Sequence, residues 1–189
     1  TEDWSNGTVS QVYVRDGSVG IGGYDDFEGY SAGSLSGDWE ERVSSGWWTF
    51  ADYGGDLCLK HEASVNNQRS MALTDQWGNI SDSTIQVKVI NIGDDAMCYL
   101  GSRVAWEKNT VSGNCDFYAC RNDVRGTGRL QIMEYDDGSY GALDTTSYYV
   151  EGTVYQKLMT VQNGGNTDLS AKVWDASGVE PGWHLVVTD

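Results

Sequence analysis

The chain has 189 residues, of which 28 are acidic and 12 basic, giving a net charge of −16. That balance excludes nucleic acid, which needs a basic footprint, and anionic membrane surfaces. No apolar run approaches the ~18 residues of a membrane-spanning helix. The length suits one β-sandwich domain able to bury roughly 70% of the surface its unfolded chain exposes. Twenty-four glycines, one proline, eight tryptophans and eleven tyrosines favour strands and turns over helices. The acids lie between hydrophobic segments, as on a folded acidic surface rather than in an acidic tail. An ordinary acidic secreted protein and a protein of a high-salt milieu both fit, and the five lysines favour the second. With no signal peptide at its start, the chain is expected to be mature or cut from a longer precursor.

The predicted elements begin with a hairpin in which Val9–Val14 and Val19–Ile21 flank Arg15-Asp16-Gly17-Ser18. Tyr24–Glu28 and a Gly/Ser-rich loop to Trp39 follow. Trp47–Ala51, Asp56–His61 and Arg69–Leu73 form three short strands, and Ser83–Ile92 alternates with one apolar face. Cys98–Trp106, Cys115–Asn122, Gly128–Tyr135 and Tyr140–Leu143 recur at about ten-residue spacing, the rhythm of a sandwich. Near the end, Gln156–Gln162 and a strand carrying Leu169, Ala171 and Val173 flank Asn163-Gly164-Gly165-Asn166, a hairpin turn. An acidic loop and a last strand ending at Asp189 complete the chain. No linker divides it, so 1–189 is one domain.

Val173-Trp174-Asp175, then Glu180-Pro181-Gly182-Trp183, then a strand closing on Asp189, resembles the closing hairpin of laminin G-like (concanavalin A-like) jelly-roll domains. Asp25-Asp26-Phe27-Glu28 with Ser36-Gly37-Asp38-Trp39, and Gly46–Phe50, resemble the opening of such domains. Tyr99–Trp106 with Cys115–Arg121 resembles their central strand pair, through Gly101, Arg103 and Tyr118. The likeness spans 24–189 and leaves 1–23 as an extra N-terminal hairpin. It implies an all-β fold, a two-sheet antiparallel jelly roll. Its central strands curve into a concave face, where Arg103, Trp106, Tyr118 and Tyr135 are the ligand candidates. Trp47, Trp48, Trp174 and Trp183 are expected in the core. Sandwich modules that hold Ca²⁺ clamp their terminal strands with carboxylates, which here points to Asp25, Asp26, Glu28 and Asp189.

Four cysteines, none in zinc spacing, favour disulfides in a secreted chain. A hairpin centred on Asn109 sets Cys98 opposite Cys120 and leaves Cys58 for Cys115. Three pairings exist in all, and buried free thiols are the alternative. Asn6-Gly7-Thr8 and Asn79-Ile80-Ser81 are glycosylation sequons. The enzymatic alternatives are thin. Glu134 and Asp136 share a strand face, but Asp136 opens a turn. Arg103, Arg121 and Tyr118 are the nearest approach to a lyase set.

The expected function is therefore a non-catalytic, extracellular glycan-binding or adhesion module that binds a glycan or glycoprotein surface within a larger assembly or homo-oligomer. A structural subunit of a virion, filament or cell-surface layer is the rival, and a glycoside hydrolase or polysaccharide lyase comes third.

Overall fold

The computed structural model describes residues 7–16, 22–37, 39–42, 48–53, 55–61, 71–74, 82–92, 97–106, 115–136 and 139–189. These form strands β1 (Gly7–Asp16), β2 (Gly22–Asp25), β3 (Gly33–Ser34), β4 (Trp39–Arg42), β5 (Trp48–Tyr53), β6 (Asp56–His61), β7 (Met71–Thr74) and β8 (Ser83–Ile92). The second half supplies β9 (Met97–Trp106), β10 (Cys115–Asp123), β11 (Arg129–Asp136), β12 (Ser139–Thr146), β13 (Gly152–Asn163), β14 (Asn166–Asp175) and β15 (Leu185–Thr188). Helix is absent among the described residues.

All pairings are antiparallel. One sheet runs β15-β14-β13-β8-β1-β6-β5-β3, with β2 on β1; a second runs β12-β11-β10-β9. A two-stranded sheet, β4-β7, adds a piece that a two-sheet expectation does not contain. The inner faces of the two larger sheets share one core. Val87, Val89, Val154, Leu158, Leu169, Ala171 and Val173 meet Leu100, Cys120, Leu130 and Ile132 there. The reason is the period of two: each of these strands alternates an apolar inner residue with an outer one.

The N-terminal segment is an interior strand. β1 lies between β8 and β6, pairing Val12 with Val87 and Val9 with Leu59. It pairs with Gly22–Asp25; the expected hairpin partner, Val19–Ile21, lies outside the described residues. β13 and β14 meet as expected, register Asn163 with Asn166, and Gly164 takes the positive φ of 65° that the turn requires.

Between β2 and β4, Asp25 organises a buried junction. Its Oδ1 accepts the Phe27 N–H at 2.8 Å, and its Oδ2 accepts Trp39 Nε1–H at 2.8 Å and the Tyr30 hydroxyl at 3.2 Å. This turn holds Phe27 at φ 67°, a costly value for a bulky residue, with the ring fully buried against Trp39 and Phe50. Asp25→Ala removes the acceptor for two buried N–H groups, each costing about 1–3 kcal/mol when left unsatisfied. We expect a loss of about 3 kcal/mol in urea unfolding, with Asp25→Asn losing less; equal stability of Asp25→Ala and wild type contradicts the assignment.

Candidate functional site

Strand alternation divides the four-stranded sheet into two chemically distinct faces. On β10, Tyr118 and Cys120 pack toward the large sheet, while Phe117 and Ala119 belong to a separate apolar cluster on the opposite face. The register pairs Phe117 with Tyr135 and Ala119 with Met133, which places Tyr135 on that outer face. The four expected ligand residues are therefore not one patch. Tyr118 and Tyr135 stand on opposite sides of the sheet. Arg103 and Trp106 lie in β9, and their side chains are outside the described residues.

The outer face is an aromatic ladder. Tyr135 stacks on Phe117 at 4.2 Å between centroids and 5° between planes, and on Tyr140 at 5.5 Å and 24°; Tyr99 meets it edge-on at 6.2 Å. Tyr140, 46% exposed, forms the rim. Sequence reasoning missed Tyr99, Phe117 and Tyr140; the cross-strand register that joins them is set by tertiary pairing.

Further along the same face the chemistry becomes polar. Arg121 is buried, donates to Asp123 Oδ2 at 2.7 Å and lies 5.5 Å from the Tyr99 ring centroid. Asp123 also takes Arg125 through a two-pronged contact and Arg129 at 3.4 Å. Burial opposes ionisation of this carboxyl, but the Arg125 hydrogen bonds and the Arg121 charge outweigh it and lower its pKa. Gln131 donates to Thr145 Oγ1 at 3.1 Å beside this network.

The inner face carries a second constellation where the sheets meet. The Tyr118 hydroxyl donates to Asp189 Oδ2 at 2.6 Å, and Asp189 is held by paired backbone bonds to Thr167. Glu134 stands opposite Tyr118 and is close enough to the Asp189 carboxylate to be influenced by its charge. Partial burial, then the Asp189 charge and hydrogen bond, then Asp136, raise the Glu134 pKa. Tyr118 is likewise raised, first by burial and then by Asp189.

The proposed calcium acids do not form one set. Asp25 belongs to β2, which pairs with β1, whereas Asp189 pairs with Thr167 beyond β8, β13 and β14. Asp25 is committed to the junction described above, and Glu28 Oε1 accepts the Leu57 N–H at 2.9 Å. Asp26 accepts the Glu28 N–H locally. Among the described residues, no three His, Cys, Asp or Glu groups are placed to hold a metal.

The expected disulfide register is also shifted. Asn122, not Cys120, stands opposite Cys98, because the β9–β10 pairing is centred beyond Asn109, with Cys115 opposite Trp106. Cys98, Cys120 and Cys58 are free thiols. A diagonal offset of this kind keeps Cβ atoms farther apart than the roughly 3.5–4.5 Å a bridge needs. Cys115 lies opposite Trp106 with its side chain outside the described residues, as are both sequons, Asn6 and Asn79.

Trp174 and Trp183, expected in the core, instead sandwich a lysine on the outside of the large sheet. Lys172 Nζ lies 4.3 Å from the Trp183 ring centroid and 5.7 Å from that of Trp174. It also bonds the Pro181 carbonyl at 2.9 Å and Glu180 at 2.6 Å. The Glu-Pro-Gly-Trp segment is thus a strap over β14, shielding this cation.

The Glu134–Asp189 pair makes a signed prediction. A raised folded-state pKa contributes stability that is complete below the ordinary carboxylate range and is lost as pH rises through the raised value. Glu134→Gln keeps a hydrogen-bonding group without the charge. It should melt higher than wild type near about pH 7, with the two curves converging by about pH 4. A variant that melts no higher than wild type at neutral pH excludes the repulsive pair.

Compared with protein-family models, curated proteins and solved structures, the chain finds no match.

Proposed function

We propose that this protein is a non-catalytic glycan-binding or adhesion module whose two facing antiparallel sheets form a jelly roll. Its sugar-binding surface is the outer face of the four-stranded sheet. The observation that carries this reading is the stacked series Phe117–Tyr135–Tyr140 with its exposed rim. A pyranose stacks on such rings through its C–H face, and polar neighbours fix its hydroxyls. Arg129, Gln131 and Thr145 lie on the same sheet for that role. An extracellular, salt-rich setting suits the charge of −16.

The hydrolase alternative is disfavoured because Asp136, the expected partner of Glu134, ends β11 exposed to solvent at the turn. The lyase alternative is disfavoured because Arg121 lies beside Tyr99 on the outer face of the sheet while Tyr118 packs on the inner one. The structural-subunit alternative loses one motive: β1 is paired on both sides within its own sheet and is not an unpaired donor strand.

Binding of neutral and acidic oligosaccharides, screened on an array and measured by calorimetry, tests the assignment. Tyr140→Ala should weaken the best ligand by about tenfold, the loss of one stacking contact. Tyr118→Phe, on the opposite face, should leave affinity unchanged. Absence of any glycan ligand, or equal effects of the two variants, overturns this reading.

A further inference from the structure

The outer face of the large sheet gathers lysines on its middle strands, with Asp168 of β14 and Glu180 of the strap as carboxylates on the same side. Four lysines fall among the described residues: Lys60, Lys88, Lys157 and Lys172. All four lie away from the core, because their strand neighbours Leu59, Val87, Val89, Leu158, Ala171 and Val173 face into it. On the two central strands β8 and β13, the outward positions include Thr84, Gln86, Lys88, Tyr155, Lys157 and Met159. None of these is acidic, in a chain with 28 carboxylate residues.

The register arranges these side chains in rows across the sheet. Lys88 stands beside Tyr155 and Trp174; Gln86 beside Lys157 and Lys172; Thr84 beside Met159 and Ser170. Glu180 reaches both Lys157 and Lys172, so one carboxylate answers two ammonium groups and a positive excess remains. Lys88 makes no ion pair among the described residues. It lies near Cys58, where Asp56, Glu28 and Asp52 mark the return of acidic residues at one border of the face. The side chains of β8 and β13 are half-buried by one another, so docking orders them at little further entropic cost.

We propose that this face docks against the acidic surface of a second copy of the chain. The complement is supplied by the molecule itself: with −16 overall and the lysines gathered here, the remaining surface carries the acids. The two contacting patches differ, so the contact is heterologous and propagates into a row of subunits rather than closing a symmetric dimer. A protein surface fits the site better than a sugar chain, because three side-chain rows give breadth while the Tyr155 ring is stacked on the buried Trp174. The proposal does not depend on the glycan reading, since the aromatic ladder lies on the other sheet.

Sedimentation velocity over a wide protein concentration range, from low to near-physiological salt, tests it. At ~0.01 M salt the Debye length is about 30 Å and like-charged monomers repel; at ~0.15 M it is about 8 Å and only contact pairs survive. We expect association to strengthen across that range. Lys88→Glu, and independently Gln86→Glu, should weaken it by about tenfold or more at an unchanged melting temperature. A monomer at every salt, or variants that associate as wild type does, overturns the proposal. So does soluble polygalacturonate binding that Lys88→Glu abolishes while wild type stays monomeric, because the occupant is then an acidic glycan.

Discussion

The rest of the structure depends on β13 being unable to turn over. It is hydrogen-bonded on both sides, to β8 and to β14, and Val154, Gln156, Leu158 and Thr160 are all completely buried along its inner edge. A slip of one residue brings Tyr155 and Lys157 into the core and expels this whole set. Two of the four inner residues are polar, and both are used to join the sheets. Gln156 Nε2 donates to the Cys98 and Cys120 carbonyls, and the Thr160 hydroxyl joins Ser83 and Ser102 in a triangle with edges of 2.8–3.2 Å. Apolar residues alone tolerate sliding between layers; these directional bonds do not.

From that fixed strand the two outer faces acquire their characters. Alternation gives the large sheet its lysine rows and, through the same core, assigns Phe117 and Tyr135 to the far side of the small sheet. The sandwich thus separates a cationic surface from an aromatic one across its full thickness. A protein with excess negative charge gains from gathering its few ammonium groups, since scattered lysines are each neutralised by surrounding carboxylates. The Trp183 strap carries this to its limit, enclosing Lys172 between indoles with Glu180 at its end.

Much of the fold was legible because period two and turn chemistry are local. Asn163–Asn166 announced its hairpin, and the alternation of Ser83–Ile92 identified its inner residues. The opposition of Tyr118 to Phe117 on β10 followed from parity alone. What sequence could not supply was register between strands joined by longer connections. The β9–β10 pairing is centred beyond Asn109, with Cys115 opposite Trp106, and this puts Asn122 in the position expected for Cys120. The candidate site suffered in the same way: Tyr118 and Tyr135 each lie on a predicted central strand, yet the register sets Phe117, not Tyr118, opposite Tyr135. Trp174 resisted prediction for another reason. It is buried, as a core residue is, but beneath a strap on the outside of the sheet. Asp25 and Asp189 show the limit of composition: in a chain this acidic, carboxylates near the two ends of a pattern match a metal set readily, while the sheet order keeps them apart.

The misaligned cysteines have a kinetic consequence. Burial pushes the thiols of Cys98 and Cys120 up to about 12, so neither supplies appreciable thiolate in the folded state. Their sulfurs lie in the core that both sheets share, behind the Gln156 bonds. Cys98 is half-buried but Cys120 is fully buried, so an alkylating reagent reaches Cys120 only in molecules whose sheets have parted. The rate at which Cys120 is modified therefore counts openings of the whole sandwich, giving the protein an intrinsic clock for its own unfolding.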